Sequence, residues 1–97
     1  MLDEDGVAAS EEIEHNVIFT LHALEQMKEQ GATKSEVELA IAEGEMLPAK
    51  KGRSTFRYNF RFDSSFGGKH YQVKQVVPIA VHEQAETVVI TVYVFYF

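Results

Sequence analysis

Phe19-Thr20-Leu21-His22-Ala23-Leu24-Glu25-Gln26-Met27-Lys28-Glu29-Gln30-Gly31-Ala32-Thr33-Lys34-Ser35-Glu36-Val37 spells two capped helices and the tight corner between them. The hydroxyl of Thr20 can accept from the open amides of a first turn, and Phe19 and Leu24 have the spacing of a hydrophobic staple. Gly31 supplies the left-handed stop. Thr33 opens a second helix, Glu36 completes a Thr-x-x-Glu capping box with it, and Gly44 stands where that helix should end. Wound at about 100° per residue, the first helix gathers Leu21, Ala23, Leu24 and Met27 into an apolar stripe, and the second gathers Val37, Ala40 and Ile41. Two such stripes require a sheet to cover.

The second half of the chain provides it. Thr55-Phe56-Arg57-Tyr58-Asn59-Phe60-Arg61-Phe62 alternates aromatic with polar residues, the pattern of a strand buried on one face. Asp63-Ser64-Ser65-Phe66-Gly67-Gly68 reads as a turn, and Lys69 to Val81 resumes as a strand with Tyr71, Val73, Val77, Ile79 and Val81 in phase. Pro78 cannot donate to a ladder, so this strand should lie at an edge or carry a bulge there. Thr87 to Phe97 is apolar in both phases and suits a central position. A short strand near Met46 to Lys51 is the fourth candidate. The expected fold is α+β: two N-terminal helices packed on one face of a three- to four-stranded, mostly antiparallel sheet.

Ninety-seven residues, 45% of them apolar, make one small domain. No cysteine is present, which excludes disulfides and thiolate metal sites. Four histidines at 15, 22, 70 and 82 show no ligand spacing, so neither a metal nor a cofactor is implied. The N-terminal residues lack the pattern of a secretion signal and the longest apolar run is about half a membrane span, so the expectation is a cytoplasmic protein with no membrane partner.

The formal charge of −6 is unevenly distributed. Residues 1–16 hold six carboxylates and no Lys or Arg, and read as an acidic, disordered arm before a single domain at 17–97. Such an arm either solubilises the chain or folds over a basic surface and competes with an anionic ligand. Residues 20–48 set two Lys against six Glu, net −4, whereas residues 49–82 set seven Lys or Arg against Asp63 alone, net +6. Charge is therefore polarised by structural element, and the basic half could face a polyanion.

The stretch Phe19-Thr20-x-His22-Ala23-x-Glu25-x-Met27-x-x-x-Gly31, with Thr33-x-x-Glu36-Val37, the Arg-aromatic strand, Val76-Val77 and the closing Thr91-Val92-Tyr93, resembles a small bacterial domain of unknown function, family 4258. The resemblance covers about residues 17–97. That family is similar to the barnase, colicin-nuclease and RelE-like group of ribonuclease toxins, and the resemblance implies RNA as substrate and an antitoxin-type protein as partner. It also implies His22 as the catalytic residue of a metal-independent endoribonuclease, since members carry His-x-x-x-Arg on one helix face. In this chain the arginine position is Gln26, and a second frequent arginine is Gln30. Both departures remove cations that could hold a scissile phosphate.

Cleavage of RNA needs a base, an acid and cations against the pentacoordinate state. His22 could serve as base, Arg57 and Arg61 with Asn59 between them could cradle a phosphate, and Lys74 or His70 on the neighbouring strand could assist. The plainer reading keeps His22 as an exposed residue opposite the apolar stripe, Arg57 and Arg61 as a solvated strand face, and Tyr58, Tyr93 and Tyr96 as core or interface aromatics. Three function classes follow: a RelE-like ribonuclease toxin or a degenerate relative, a non-catalytic RNA- or protein-binding module using the basic strand face, and an oligomerising structural domain whose C-terminal strand is shared between copies.

Overall fold

The computed structural model describes residues 16–97. The structural elements in chain order are β1 (Asn16–Phe19), α1 (Leu21–Gln30), α2 (Lys34–Glu43), β2 (Glu45–Pro48), β3 (Arg53–Phe66), β4 (Lys69–Glu83) and β5 (Glu86–Tyr96). The strands form one sheet in the order β1-β5-β4-β3-β2. Only the β1–β5 pair is parallel, running from Asn16 opposite Glu86 to Phe19 opposite Val89. Both helices pack on one face, α1 against β5 and α2 against β4 and β3.

The three- to four-stranded, mostly antiparallel sheet expected from the sequence is thus corrected to a five-stranded mixed sheet. The extra strand is Asn16-Val17-Ile18-Phe19, too short to display a period and adjoining an acidic run. Being parallel to β5, it is joined to its partner by a crossover through α1 and the elements after it rather than by a hairpin. Asn16, read as the end of the acidic arm, is the first residue of this strand; the rest of that arm lies outside the described residues.

The cap signals are realised in atoms. Thr20 Oγ1 accepts from the Ala23 amide at 3.1 Å, and Gly31 ends α1 at φ 87°. Thr33 and Glu36 exchange both bonds of the capping box, at 3.1 and 3.0 Å. Gly44 also caps its helix but with an extended backbone, φ −78°. Glycine is required there by crowding: a Cβ would lie 2.4 Å from the carbonyl oxygen of Ala40 and 2.7 Å from that of Arg57.

The strands run longer than their alternation suggested. β3 continues through Asp63-Ser64-Ser65-Phe66, because a bulge between Arg61 and Ser64 absorbs the irregularity with Asp63 at φ 46°. The turn is only Gly67-Gly68, both at positive φ, as a two-residue hairpin of the primed type requires. Pro78 sits in β4, a central strand, and the register shifts beside it between Ile79 and Ala80. Ile79 faces Thr91 and Ala80 faces Val89, so Ile90 is the extra residue on β5. Val92, opposite Pro78, turns its own N–H and C=O to the outer edge, so the missing donor of the proline faces β3. There the ladder is interrupted between the Thr55–Ile79 and Tyr58–Val76 pairs; that gap, not an edge position, accommodates it.

Ala23, Met27, Ala32, Val37, Ala40, Val76, Val89 and Val92 form the buried core, with Phe19, Leu24, Ile41, Tyr58, Phe60 and Val94 packed against it. Each fully buried valine contributes about 1.5–3 kcal/mol. Leu21, expected in the stripe, is 72% exposed. The buried side of α1 is centred on Ala23 and Met27 and is flanked by two polar residues, Gln26 and Gln30, both half-buried.

Those glutamines explain how β5 tolerates its position. β1 covers β5 only as far as Val89, which leaves the outer edge of its C-terminal half without a strand partner. Gln26 Oε1 accepts from the Val92 amide at 2.9 Å, Gln30 Oε1 accepts from the Val94 amide at 2.7 Å, and Gln30 Nε2 donates to the Val92 carbonyl at 3.4 Å. Two side-chain amides take the place of a sixth strand, at a site where open donors would otherwise invite edge pairing. Tyr96 completes the seam by donating its hydroxyl to the Gln30 carbonyl at 2.6 Å, while its ring stacks on Phe66 and meets Phe62 and Tyr71.

Gln30→Ala removes both contacts to β5 and should lower unfolding stability by about 1–3 kcal/mol in urea titration, with accelerated exchange of the Val94 amide. An unchanged Val94 exchange rate would contradict this account of the edge. Burial, and secondarily the Glu36 carboxylate, raise the pKa of Tyr96 above its ordinary value. The folded state therefore holds this proton after the unfolded chain has released it. Its contribution is intact below about pH 10 and is lost as pH climbs from there through the folded value, a loss that Tyr96→Phe should remove from unfolding curves recorded above about pH 10.

Candidate functional site: the uncovered sheet face

Alternation along β3 decides where its polar residues point. Phe56 is buried, and Tyr58 and Phe60 pack into the core beneath the helices, so Arg57, Asn59 and Arg61 occupy the opposite face, which no described element covers. The structure thus brings three of the expected binding residues together. Arg57 Nη2 contacts Glu45 Oε1 at 2.6 Å, an exposed pair across to β2. Asn59 accepts from Gln75 Nε2 at 2.8 Å. Arg61 borders a cleft of about 450 Å³ with Asn59, Phe60, Asp63, Gln72 and Val73.

The remaining expected residues lie elsewhere. His22 is exposed on α1, in the helix layer, so the sheet stands between it and the arginines. His70 sits beside the β3–β4 turn, its Nε2 3.2 Å from Asp63 Oδ1. Lys74 is only 6% exposed and points under the helices. Its Nζ donates to both carboxylate oxygens of Glu36, at 2.8 and 3.1 Å, and to the carbonyl of Gly31. The Phe62 ring lies 5.9 Å from the same ammonium. Lys74 ties the corner between the helices to the sheet. Gln26 and Gln30, where the resembled family carries arginine, are likewise committed to β5.

The side chains that enlarge this face come from β5. Val92 is buried in the core and Val94 packs against it, so Tyr93, Phe95 and Phe97 project to the uncovered side, at 44%, 51% and 57% exposure. Registers align them with the polar row. Phe95 faces Gln75, which faces Asn59; Tyr93 faces Val77, the neighbour of the Val76 opposite Tyr58; Phe97 and Val73 exchange backbone hydrogen bonds, and Val73 faces Arg61. The rings of Tyr93 and Phe95 are 6.5 Å apart and 28° from parallel. Tyr93, read as a core or interface aromatic, and Phe95 and Phe97, read only as part of an apolar strand, were detectable as binding candidates only by their period-2 spacing at 93, 95 and 97.

Charge divides by layer. Glu25, Glu29 and Glu38 are exposed on the helices, while Arg53, Arg57 and Arg61 run along β3 in one strand phase. Among the described residues no group of three His, Asp or Glu side chains is arranged to hold a metal ion, and no helix is long and apolar enough to cross a membrane.

None of the known family models, curated proteins or solved structures compared with the chain matches it. Function must be argued from the face itself.

Lys74→Ala leaves the Glu36 carboxylate half-buried without its cation and should cost about 3–5 kcal/mol of unfolding stability, whereas His22→Ala should be neutral within about 0.5 kcal/mol. Chemical denaturation of the two variants checks both, and equal losses would contradict the separation drawn here.

Proposed function

We propose that the chain is a non-catalytic module that binds single-stranded RNA across the uncovered face of its sheet. The observation that carries this reading is the Tyr93–Phe95 pair, two exposed rings 6.5 Å apart and 28° from parallel beside the arginine row. Each ring offers an exposed face on which a base can stack. Each such stack is worth about 1–3 kcal/mol and is indifferent to sequence, because every base has a π face. Single-stranded RNA offers unstacked bases to aromatic side chains on a sheet in this manner.

The polar groups that RNA needs lie within two strand spacings, about 10 Å, of the aromatics. Arg57 and Arg61 can meet phosphates, and the amides of Asn59 and Gln75 can meet base edges or 2′-hydroxyls. Binding rather than cleavage is favoured by the placement of His22, which shares no face with the arginines, and by Gln26 and Gln30, which hold the sheet edge where cations would be wanted. A polyanion approaching the helix side would meet glutamates, so the acidic layer also selects the binding face.

Fluorescence anisotropy with a labelled dodecauridylate, at several salt concentrations, tests the reading. Phe95→Ala should weaken binding about tenfold with little change in salt dependence, while Arg61→Ala should weaken it and reduce the log–log salt slope by about one. Wild-type affinity in both variants would overturn it. Cleavage of the oligonucleotide that His22→Ala abolishes would establish the nuclease reading instead, and a sedimenting dimer that protects Phe95 would establish assembly.

A further inference from the structure

The fifteen residues before Asn16 carry six carboxylates and no Lys or Arg, whereas residues 16–97 hold nine of each sign. The acidic run is thus a concentrated anion tethered to a neutral body. Where it is tethered matters. Asn16 opens β1 opposite Glu86, at one end of β5. Tyr93 lies seven residues further along β5, roughly 23 Å, and the row of Arg57 is two strands beyond, about 10 Å. Fifteen residues reach up to about 50 Å, so the whole face lies within their range.

Two surfaces could receive such a segment. On the helix side, a crevice lined by Val17, Ile41, Met46, Phe56 and Thr87 contains one carboxylate, Glu38, and one histidine, His82, in the layer where acidic residues outnumber basic ones. The crevice offers an acidic segment no arginine or lysine. On the other side, Arg53, Arg57 and Arg61 stand in one phase of β3, and only Arg57 has its guanidinium engaged by a carboxylate among the described residues. Tyr93, Phe95 and Phe97 add an apolar ridge beside them. Leu2, Val7 and Ile13 are interspersed among the carboxylates and can cover such a ridge.

We infer that residues 1–15 dock on the uncovered face along the Arg53–Arg57–Arg61 row and act as a built-in polyanion competing with RNA. The competition rests on the RNA reading above; the docking does not. A tether of this length gives an effective concentration in the millimolar range, so weak contacts suffice to occupy the face and only ligands with several phosphates displace them.

The chain has no cysteine, which permits a single spin label on the full-length protein through Ala9→Cys. Docking predicts that amide signals of Arg53, Arg57, Asn59 and Tyr93 lose at least half their intensity relative to those of Lys28, Glu38 and Ile41 on the helices. Replacing the six carboxylates by their amides should restore them, and excess dodecauridylate should do so as well. Broadening centred on Glu38 and Ile41, or spread evenly, would overturn the inference. Face-centred broadening that dodecauridylate leaves untouched, with no RNA binding by anisotropy, would uphold the docking and overturn the RNA reading.

Discussion

The outer edge of β5 beyond Val89 is the constraint to which the rest of the structure answers. A strand so apolar, covered for only four residues by β1, would leave its amides open to any passing strand. Gln26 and Gln30 close it from above, and in doing so they fix α1 along β5 at hydrogen-bond precision rather than by apolar contact alone. From that seam the order propagates. The Gln30 carbonyl takes the Tyr96 hydroxyl, the next carbonyl, at Gly31, takes Lys74, and Lys74 reaches Glu36, whose Oε1 also accepts from the Thr33 amide that opens α2. One continuous polar chain joins both helices to β4 and β5.

This arrangement separates the chemistry of the two layers. The cationic and amide groups that could hold RNA either point away from the helices, as Arg57, Asn59 and Arg61 do, or are consumed in holding the layers together, as Lys74, Gln26 and Gln30 are. A histidine on the exposed side of α1 cannot join the arginines without crossing the sheet. In the proposed function the uncovered face is a recognition surface, in which stacking supplies affinity and the arginines supply charge.

Much of the fold was legible in the residues because local rules agreed with the global structure. Thr20, Gly31, Thr33 and Glu36 announced two helices, and the alternation of 55–62 announced β3 with its faces correctly assigned. β1 escaped because four residues carry no period and a parallel partner seventy positions away leaves no turn signal. Lys74 was read as a ligand-binding residue because burial of a lysine is written only in the three-dimensional position of Glu36. Gln26 and Gln30 were read as missing arginines for a similar reason: a glutamine that seals a strand edge has the same one-dimensional appearance as one in solvent. The face that includes Tyr93, Phe95 and Phe97 was hidden by Ile90, which shifts the inward phase of β5 from Thr87 and Val89 to Val92 and Val94.

That single extra residue acts on side chains as a frameshift acts on codons. Upstream of it odd positions face the helices; downstream, even positions do. Were β5 one residue shorter at this point, the valines would turn to solvent and three aromatic rings would be driven beneath helices seated on alanines, where no volume exists for them. A deletion of one apolar residue that leaves net charge untouched would thus abolish the core and the uncovered face together. Insertions and deletions, rather than substitutions, are the changes to which this short strand has least tolerance.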